Sequence, residues 1–370
     1  MIKILHIAKP LSGVGVYISL LAKYIDEDQF SNSIICDFND KIISIKNSKN
    51  VKIDHFHCNI KREINILNDI KSIFKIIKII KKENPDIIHC HSAKTGILGR
   101  IAGKLLNVKT VYTPHAYSYL SAESNKKKYV LKKIEYIFGF FYGYTLACSK
   151  SEQKRAINDL KIKKEKVLLW QNSIENKIEV KKTDYLDKLP KDFICSIGRP
   201  SYQKNTLLLV KAILIAKKKK NDIHLVILGV GFHSPKLKEV EDFIEKNNLT
   251  ENITLIPWLS RAESMAILQK SLFYISSSRY EGLPYSVIEA LAFEKPCLLT
   301  KVDGNKDLIT NNYNGYLVEE SELEMGVKII DIITNKKLLK KMSINSRVIF
   351  ENFYDIKKNI KSLENLYLRL

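Results

Sequence analysis

Short apolar runs alternate with amphipathic stretches along the whole chain. In the first half the runs are IKILHIA (2–8), NSIICDF (32–38), DIIHCHS (86–92), KTVYTPH (109–115), YTLACS (144–149) and KVLLW (166–170). Between them, apolar residues recur at every third or fourth position, as in Val16–Ile25 and Ile64–Lys82, a period typical of amphipathic helices. Short buried strands separated by helices predict parallel sheets in an α/β layer structure.

The alternation stops once, at the polar segment 176–192 with its Pro190, and then begins again. The runs of the second half are DFICSIGR, IHLVILGVG, ITLIPW, LFYISSS and PCLLT. We therefore predict an α/β fold of two doubly wound, Rossmann-like parallel-sheet domains, residues 1–175 and 193–345, joined by a linker at 176–192. The last segment, 346–370, has the pattern of one long helix.

The composition excludes several classes of protein. With 45% hydrophobic residues among 370, the chain can form cores, which excludes a disordered or collagen-like polymer. Its net charge is +21, and of its 61 cationic residues only 8 are arginine, whereas nucleic-acid readers rely on arginine for bidentate contacts. The excess fits either an AT-rich genome or a basic face directed at an anionic membrane or anionic substrates.

The cysteines and the apolar runs indicate a compartment. The six cysteines, at 36, 58, 90, 148, 195 and 297, show no paired spacing, so neither a zinc ribbon nor a disulfide framework is predicted. The start, MIKILHIAKP, is too short for a signal peptide, and the longest apolar run, Tyr136–Cys148, is too short to cross a bilayer. We expect a cytoplasmic protein, or one at the inner face of the cytoplasmic membrane.

The segment Ser276–Ala292, SSSRYEGLPYSVIEALA, has the most specific pattern. A strand runs into Glu281-Gly282-Leu283-Pro284, and a helix that includes Glu289 follows. Pro284 suits a first helical turn, where free N–H groups and the helix dipole bind anions. Carboxylates repel anions, so Glu281 and Glu289 are predicted to accept hydrogen bonds from sugar and ribose hydroxyls. The alternative is one surface glutamate and one ordinary helix glutamate.

A second candidate loop, Ile197–Asn205, follows the first strand of the second domain and opens a helix. Arg199 and Lys204 would bring two positive charges to one strand end. Two charges match a diphosphate and remove the need for a metal. The alternative is two solvated cations in a basic protein.

In the first domain, Gly13 and Gly15 lie between the predicted first strand and first helix, where glycines let the backbone approach a phosphate or an acceptor. With Asp37 after the second strand, this loop also resembles a dinucleotide fingerprint, although Ile18 occupies the third glycine position. His115 ends another strand and is a candidate to hydrogen-bond a sugar or orient an acceptor. The alternative is a structural histidine.

No metal site is predicted. His89 and His91 share one face of a strand, and His55 and His57 are spaced similarly, but no carboxylate or cysteine completes either set. Asp26-Glu27-Asp28 resembles the D-x-D of metal-dependent sugar transferases. Because it ends a helix rather than a strand, we interpret it as a solvated turn.

Together these motifs resemble the retaining glycosyltransferases of family 4. The resemblance rests on Glu281 with Glu289, Gly198-Arg199 with Lys204, the Gly13/Gly15 loop, His115, Asp86-Ile-Ile-His89-x-His91, Cys148-Ser149-x-Ser151-Glu152, Gln171-Asn172-Ser173-Ile174 and Gly304-Asn305-Lys306-Asp307. It covers essentially the whole chain. Two departures are Pro257, where the family usually has glycine, and Gln171-Asn172-Ser173, which replaces the common Asn-Gly.

The resemblance implies a GT-B fold whose last helix crosses back onto the first, acceptor-side domain. It implies that Arg199 and Lys204 hold the donor diphosphate and that Glu289 binds the ribose. Glu281 would touch the transferred sugar, and His115 would lie near that sugar and the acceptor. Gly13, Gly15, Gly282 and Leu283 would contribute to donor binding.

The implied enzyme is a retaining hexosyltransferase that needs no metal or other cofactor. Its donor would be a nucleotide diphosphate-sugar, with a UDP-sugar favoured. Its acceptor would be a saccharide, linked to polyprenyl diphosphate, in capsule, O-antigen or exopolysaccharide biosynthesis.

Two other classes of protein account for part of the sequence. A dinucleotide-dependent oxidoreductase would use Gly13, Gly15 and Asp37, but it leaves Glu281 and Arg199 without a role. A nucleic-acid-binding protein would account for the charge, but the sequence has no clustered arginine or aromatic motif for reading bases. Nucleic acid is therefore not expected as a partner.

The segment Lys126–Tyr144, KKKYVLKKIEYIFGFFYGY, combines clustered lysines with tyrosine and phenylalanine. A basic, aromatic helix of this kind can lie among anionic lipid headgroups. The alternative is that the aromatic residues fill the core between neighbouring strands and the lysines are merely solvated.

Overall fold

The computed structural model describes residues 1–38, 44–61, 65–231 and 234–370. Ile64, at the start of the predicted helix Ile64–Lys82, lies outside the described residues. The chain divides into two compact units, one formed by Met1–Asn172 with Ile356–Leu370 and the other by Ser173–Asp355.

The first unit is built on a seven-stranded sheet in the order β3-β2-β1-β4-β5-β6-β7, within the described residues. Its strands are β1 (Ile2–Ile7), β2 (Phe30–Cys36), β3 (Asp54–His57), β4 (Ile87–His91), β5 (Lys109–Thr113), β6 (Tyr144–Ala147) and β7 (Val167–Leu169), and its helices are α1 (Ser12–Tyr24), α2 (Ile66–Glu83), α3 (Ala93–Leu106), α4 (Asn125–Phe141) and α5 (Lys150–Asn158). All strand pairs are parallel. The chain reverses its direction across the sheet between β1 and β4, and ligands of such sheets bind beyond the strand ends at this switch point.

The second unit repeats this topology in a sheet with the order β10-β9-β8-β11-β12-β13. Its strands are β8 (Ile194–Ile197), β9 (Leu225–Val230), β10 (Ile253–Pro257), β11 (Tyr274–Ser276), β12 (Cys297–Thr300) and β13 (Gly315–Val318), and its helices are α6 (Thr206–Lys217), α7 (Leu237–Lys246), α8 (Arg261–Lys270), α9 (Tyr285–Ala292), α10 (Asn305–Leu308), α11 (Glu322–Thr334) and α12 (Lys336–Phe353). Here β8 and β11 are neighbours at the switch point. The predicted pair of doubly wound α/β domains is confirmed.

Aliphatic side chains form a core in each unit. In the first unit Ile88 of β4 and Ala102 of α3 are fully buried in one core, and in the second Ile213 of α6 and Ile227 of β9 are fully buried in another. All six cysteines are buried with free thiols, as expected of small apolar side chains in a core. Burial on both faces of each sheet explains why these strands read as continuous apolar runs.

The end of the chain differs from the single helix predicted over 346–370. Helix α12 ends at Phe353, and α13 (Ile356–Arg369) begins after Tyr354 and Asp355. The chain leaves the helix here because the carbonyl of Tyr354 accepts a hydrogen bond of 3.0 Å from the amide of Ile174, a partner that the local pattern cannot reveal.

Helix α13 belongs to the first unit, which confirms that the chain's last helix returns to that domain. Its Glu364 accepts a hydrogen bond of 2.9 Å from the amide of Asp26. The carbonyl of Asn359 accepts one of 3.0 Å from the indole of Trp170. Tyr367 is only 2% exposed. Helix α13 is therefore held to the first unit by contacts along its length.

Candidate active site

Lys204 and Glu281 form an ion pair at the switch point of the second sheet. The Nζ atom of Lys204 lies 2.6 Å from Oε1 of Glu281, and the two side chains are 22% and 9% exposed. Lys204 lies between β8 and α6, whereas Glu281 lies between β11 and α9. The Nε2 atom of Gln203 lies 3.3 Å from the other carboxylate oxygen. Two segments that were singled out separately in the sequence therefore converge on one carboxylate.

Gly198 makes room for Lys204. Its φ is 151°, and a Cβ at this position would lie only 3.0 Å from Cε of Lys204, so the lysine stem lies directly over the glycine. Arg199 follows and is exposed. Its backbone nitrogen lies 3.8 Å from where a Cβ of Gly229, in β9, would be. Arg199 and Lys204 thus lie at the same edge of the sheet.

The sequence analysis missed the residues that hold this loop. The hydroxyl of Ser277 donates to the carbonyls of Lys204 and Asn205, at 3.0 and 2.9 Å. The amide of Arg279 donates to the carbonyl of Gln203 at 2.8 Å. Ser277 and Arg279 belong to the singled-out segment Ser276–Ala292, but only the folded chain reveals their partners.

Gly304 allows a second close approach, to the loop that carries Glu281. Its φ is 79°, and a Cβ there would lie 2.7 Å from the carbonyl oxygen of Gly282 and 3.1 Å from Cβ of Glu281. Any side chain at this position would therefore push the loop away. Leu283, another predicted donor contact, is only 3% exposed, so its side chain packs in the core.

Glu289 lies one turn inside α9 and is 6% exposed. Its Oε1 accepts a hydrogen bond of 2.7 Å from Nε of Arg261. Burial raises the pKa of the Glu289 carboxyl, and the guanidinium of Arg261 opposes this rise. Arg261, which opens α8, is a site residue that the sequence analysis did not find. An arginine held on one carboxylate oxygen orients the other for a hydroxyl donor.

The helix that carries Glu289 presents its N-terminus beside Glu281. Pro284 directly precedes α9, with a φ of −71°, rather than lying in its first turn. A proline side chain has no acceptor, so it cannot cap the first N–H groups of the helix. The residue before α9 therefore provides no side-chain cap, and anion binding at this terminus stays a prediction.

The glycines of the first unit lie elsewhere than predicted. Helix α1 begins at Ser12, so Gly13 and Gly15 are in its first turn rather than in a preceding loop. Gly13 is exposed, whereas Gly15 is buried. Ser12 has a φ of 48°, which turns the chain directly from β1 into the helix. The glycines therefore leave the first turn of α1 without bulky side chains at these two positions, and they do not form the predicted loop between β1 and α1.

His115 lies in a strained turn at the end of β5. His115 and Ala116 have φ values of 53° and 77°, a region that residues with side chains rarely adopt. The buried carboxylate of Glu152 holds the turn by accepting the amide of Ala116 and the amide of Cys148, both at 2.8 Å. Burial raises the pKa of Glu152, and these two hydrogen bonds counteract the rise. Strain maintained in this way marks functional positions.

Behind His115, buried histidines cluster at the switch point of the first sheet. His6 in β1 and His89 and His91 in β4 are 0% exposed. Among the described residues they form the one group of three or more potential metal ligands. Every ring nitrogen of these three lies within 3.1 Å of a protein partner: Asn32, His91, His6, Tyr367, Thr113 or His115. Hydrogen bonds to protein groups therefore already account for all of the potential ligand atoms.

Comparisons with known proteins match both halves of the chain to glycosyltransferases. The profile described as Glycosyltransferase Family 4 matches residues 11–177, and that described as Glycosyl transferases group 1 matches residues 177–348. These matches decide against an oxidoreductase or a nucleic-acid-binding protein. The Nδ1 atom of His57 lies 3.9 Å from Oδ1 of Asp37.

Related sequences and solved structures also match this chain to glycosyltransferases. The chain is 30% identical over 319 residues to the UDP-Gal:alpha-D-GlcNAc-diphosphoundecaprenol alpha-1,3-galactosyltransferase of Escherichia coli, covering 83% of this chain and 81% of the relative. It is 25% identical over 325 residues to the capsular polysaccharide biosynthesis glycosyltransferase CapM of Staphylococcus aureus, covering 83% of each. The structure of HepE from Anabaena in complex with UDP-glucose superimposes with a TM-score of 0.81 at 17% identity over the whole of both chains. The chain therefore belongs to the family 4 glycosyltransferases and has the GT-B fold.

Proposed function

We propose that this glycosyltransferase moves a hexose from a UDP-sugar to a saccharide linked to polyprenyl diphosphate, with retention of the α configuration and without a metal. The observation that carries the proposal is the ion pair of Lys204 with Glu281, which precedes α9 in the chain. The printed activity of the Escherichia coli relative, a transfer from UDP-Gal to a diphosphoundecaprenol-linked sugar, supports this donor and acceptor class.

The donor side needs to bind a diphosphate and stabilise it as it leaves. In this proposal Lys204 and Arg199 supply the positive charge, and the first N–H groups of α9 add hydrogen bonds to the same oxygens. Glu281 accepts a hydrogen bond from a hydroxyl of the sugar, and Glu289, oriented by Arg261, accepts one from the ribose. Departure of the neutralised diphosphate is the step that these groups accelerate.

The acceptor side is assigned to the first unit. His115 is partly exposed at the carboxyl edge of its sheet, and Glu152 fixes the turn that carries it. In this proposal His115 hydrogen-bonds a hydroxyl at the reacting centre. The product joins a bacterial surface polysaccharide such as an O-antigen or a capsule, as the names of the relatives suggest.

A lipid-linked acceptor requires a surface that contacts lipid, and in this proposal α4 forms it. Of the residues in α4, only Glu135 and Gly139 are buried. Tyr129 and Ile137 are 64% and 58% exposed. The aromatic residues therefore do not all fill the core, and the helix presents both apolar and cationic side chains to its surroundings. An anionic bilayer accommodates both.

Helix α2 extends this surface. Ile66, Leu67 and Phe74 are 72%, 74% and 69% exposed, and lysines 71, 75, 78, 81 and 82 are exposed along the same helix. Right-handed crossovers put α2, α3 and α4 on one face of the sheet, and α3 contacts both neighbours. The N-termini of these helices lie at the carboxyl edge of the sheet, the edge that carries His115. No helix among the described residues has the length and apolarity to cross a bilayer, so the proposed contact is peripheral.

A donor screen tests the proposal. The purified protein is incubated with UDP-, GDP-, ADP- and TDP-sugars and a polyprenyl-diphosphate-linked N-acetylhexosamine, and the product is analysed by mass spectrometry and by NMR of its anomeric proton. We expect one UDP-sugar to be used and the product to be the α anomer. A β-linked product, or transfer only from a donor with another base, would contradict the proposal.

A further inference from the structure

A hydrogen-bonded chain of side chains runs from the interior of the first unit to His115. The Nε2 atom of His6 lies 3.1 Å from Oδ1 of Asn32, and its Nδ1 lies 3.0 Å from Nε2 of His91. The Nδ1 atom of His91 lies in turn 3.1 Å from Nε2 of His115. We call Asn32, His6, His91 and His115 the histidine chain. His6 and His91 are fully buried, so His115 is the histidine through which the chain reaches the surface.

The histidines of this chain are neutral near pH 7. Burial lowers the pKa of His6 to about 4 and that of His115 to about 3. It also places the pKa of His91 well below the ordinary value. A neutral imidazole has one N–H donor and one unprotonated acceptor nitrogen. Neighbouring rings in such a chain can bond only if all of them point their N–H groups in the same direction.

Asn32 determines the direction in which these N–H groups point. Its Oδ1 is an acceptor, so Nε2 of His6 carries a proton and Nδ1 of His6 accepts. His91 must then donate from Nε2 and accept at Nδ1, and His115 must donate from Nε2. The acceptor atom of Asn32 thus determines the proton position first on His6, then on His91 and finally on His115.

We propose that Asn32, His6 and His91 are positioning residues that hold His115 as the Nε2–H tautomer and leave its Nδ1 as a permanent acceptor for a substrate hydroxyl. An acceptor nitrogen orients a hydroxyl by taking its hydrogen bond, and no proton has to be transferred. This inference rests on the proposed function only in assigning the hydroxyl to a substrate. The tautomer itself follows from the hydrogen-bond pattern.

The surroundings hold the rings in place. The Tyr17 ring meets those of His91 and His115 edge-on, with centroids 5.3 and 4.8 Å apart. The planes of the His91 and His115 rings are inclined by 22°, with centroids 5.3 Å apart. Glu152 fixes the turn at Ala116. Because these contacts prevent the imidazole rings from flipping by 180°, the donor and acceptor nitrogens cannot exchange positions.

The tautomer can be read directly by NMR of protein labelled with 15N-histidine, because protonated and unprotonated ring nitrogens differ widely in chemical shift. The His115→Gln variant assigns the His115 signals. His224 provides an internal reference of the opposite kind, since its Nδ1 lies 3.0 Å from the carbonyl of Glu251 and must donate to it. We expect His115 to be protonated at Nε2. Protonation at Nδ1, or stoichiometric metal in the purified protein, would overturn the inference.

Two substitutions of Asn32 test the origin of the tautomer. Asn32→Leu removes the acceptor, so a buried N–H of His6 would lose its partner and the chain should reverse, which moves the His115 proton to Nδ1. Asn32→Asp retains the acceptor and should keep the native tautomer at pH 8, where His6 stays neutral. An unchanged His115 tautomer in folded Asn32→Leu would overturn the inference.

Transfer kinetics separate this inference from the proposed function. Asn32→Leu should lower kcat about tenfold with the donor KM unchanged, and Asn32→Asp should restore it. If the tautomer responds as expected but His115→Ala transfers sugar normally, the proposed role of His115 is wrong and the histidine chain stands. If His115→Ala is inactive but Asn32→Leu leaves both kcat and the tautomer unchanged, the histidine chain is wrong and the proposed function stands.

Discussion

The Nζ atom of Lys204 lies 2.6 Å from Oε1 of Glu281, although 77 residues separate them in the chain. The cation assigned to the donor diphosphate is therefore neutralised by the carboxylate assigned to the sugar. In the proposed donor site, a diphosphate competes with Glu281 for Lys204, and the carboxylate released in this way accepts a sugar hydroxyl. On this proposal the ion pair couples diphosphate binding to the preparation of the sugar site.

This relationship predicts opposite effects for its two members. Lys204→Met should weaken UDP binding about tenfold or more, because a charge-assisted contact to phosphate is lost. Glu281→Gln should bind UDP at least as tightly as the native protein while its transfer rate falls, because it removes a competitor and a repelling charge. Calorimetry with UDP and a transfer assay measure the two effects. Weaker UDP binding by Glu281→Gln would contradict the competition.

Glu289 and Arg199 are predicted to contribute binding energy, and replacing either is expected to leave the protein folded. Glu289→Ala and Arg199→Ala should each raise the Kd for UDP about tenfold to a hundredfold. Glu241→Ala, an exposed glutamate on α7, is the matched control and should bind UDP normally. Thermal unfolding checks that all three variants are folded. Unchanged UDP affinity in both site variants would rule out the proposed donor site.

Transfer is predicted to proceed without a divalent metal, since in the proposed donor site Lys204, Arg199 and the N-terminus of α9 stabilise the diphosphate. The rate in excess EDTA should equal the rate in untreated buffer. The control is EDTA already saturated with Ca²⁺, which tests for effects of the chelator itself. Loss of activity that Mg²⁺ or Mn²⁺ restores would contradict this prediction and direct attention to Asp26 and Asp28.

Lysines of α4 are predicted to bind the membrane. Reversal to glutamate at 126, 127, 128, 132 and 133 should abolish flotation with phosphatidylglycerol vesicles while UDP binding persists, because each lysine near an anionic surface contributes about 1 kcal/mol. The matched control reverses the exposed lysines of α12, at 336, 337, 340 and 341, and should still float. If the α4 variant floats as well as the control, the lipid surface lies elsewhere.

The buried histidines predict that the protein loses stability in mild acid. An unfolded histidine titrates near pH 6.5, whereas burial lowers the pKa of His6 to about 4. Between these values the unfolded state binds more protons, so the free energy of unfolding rises with pH and falls as acid is added. For His6 alone this amounts to about 3 kcal/mol.

Urea unfolding of the native protein and of His6→Gln, between pH 6.5 and pH 4.5, measures this contribution. The variant should show the smaller pH dependence, by about one proton. Glu135 and Glu152, whose pKa values burial raises, have the opposite dependence, but they are common to both proteins and cancel in the difference. Equal slopes would show that His6 does not titrate differently in the folded state.

Much of the fold could be predicted because its causes are local in the sequence. Runs such as IKILHIA and LFYISSS are apolar throughout since their strands are buried on both faces, and the residues at their carboxyl ends could be listed as site candidates. Lys204, Glu281 and Glu289 were found in this way. Only the folded chain revealed the ion pair, because the sequence does not specify which strand ends are neighbours.

Errors arose where a distant partner overrides the local pattern. Residues 346–370 have a helical period, but Tyr354 bonds to Ile174 and divides the segment into two helices. The first-domain glycines were expected in a loop, and α1 begins before them. The sequence left open whether the aromatic residues of α4 fill a core, and the exposure of several of them decides against that alternative.

The sequence by itself determined the two α/β domains, the motifs at the strand ends and the class of enzyme that they resemble, because periodicity and motif spacing are properties of neighbouring residues. The tertiary structure alone decided the partners: Arg261 on Glu289, Ser277 on the Lys204 loop, Glu152 on the turn of His115, and Asn32 at the far end of the histidine chain. The first three contacts join residues that lie 28 to 73 positions apart in the chain, and Asn32 is linked to His115 through the rings of His6 and His91. Such contacts arise only when the sheets bring separate strands together, and no local pattern encodes them.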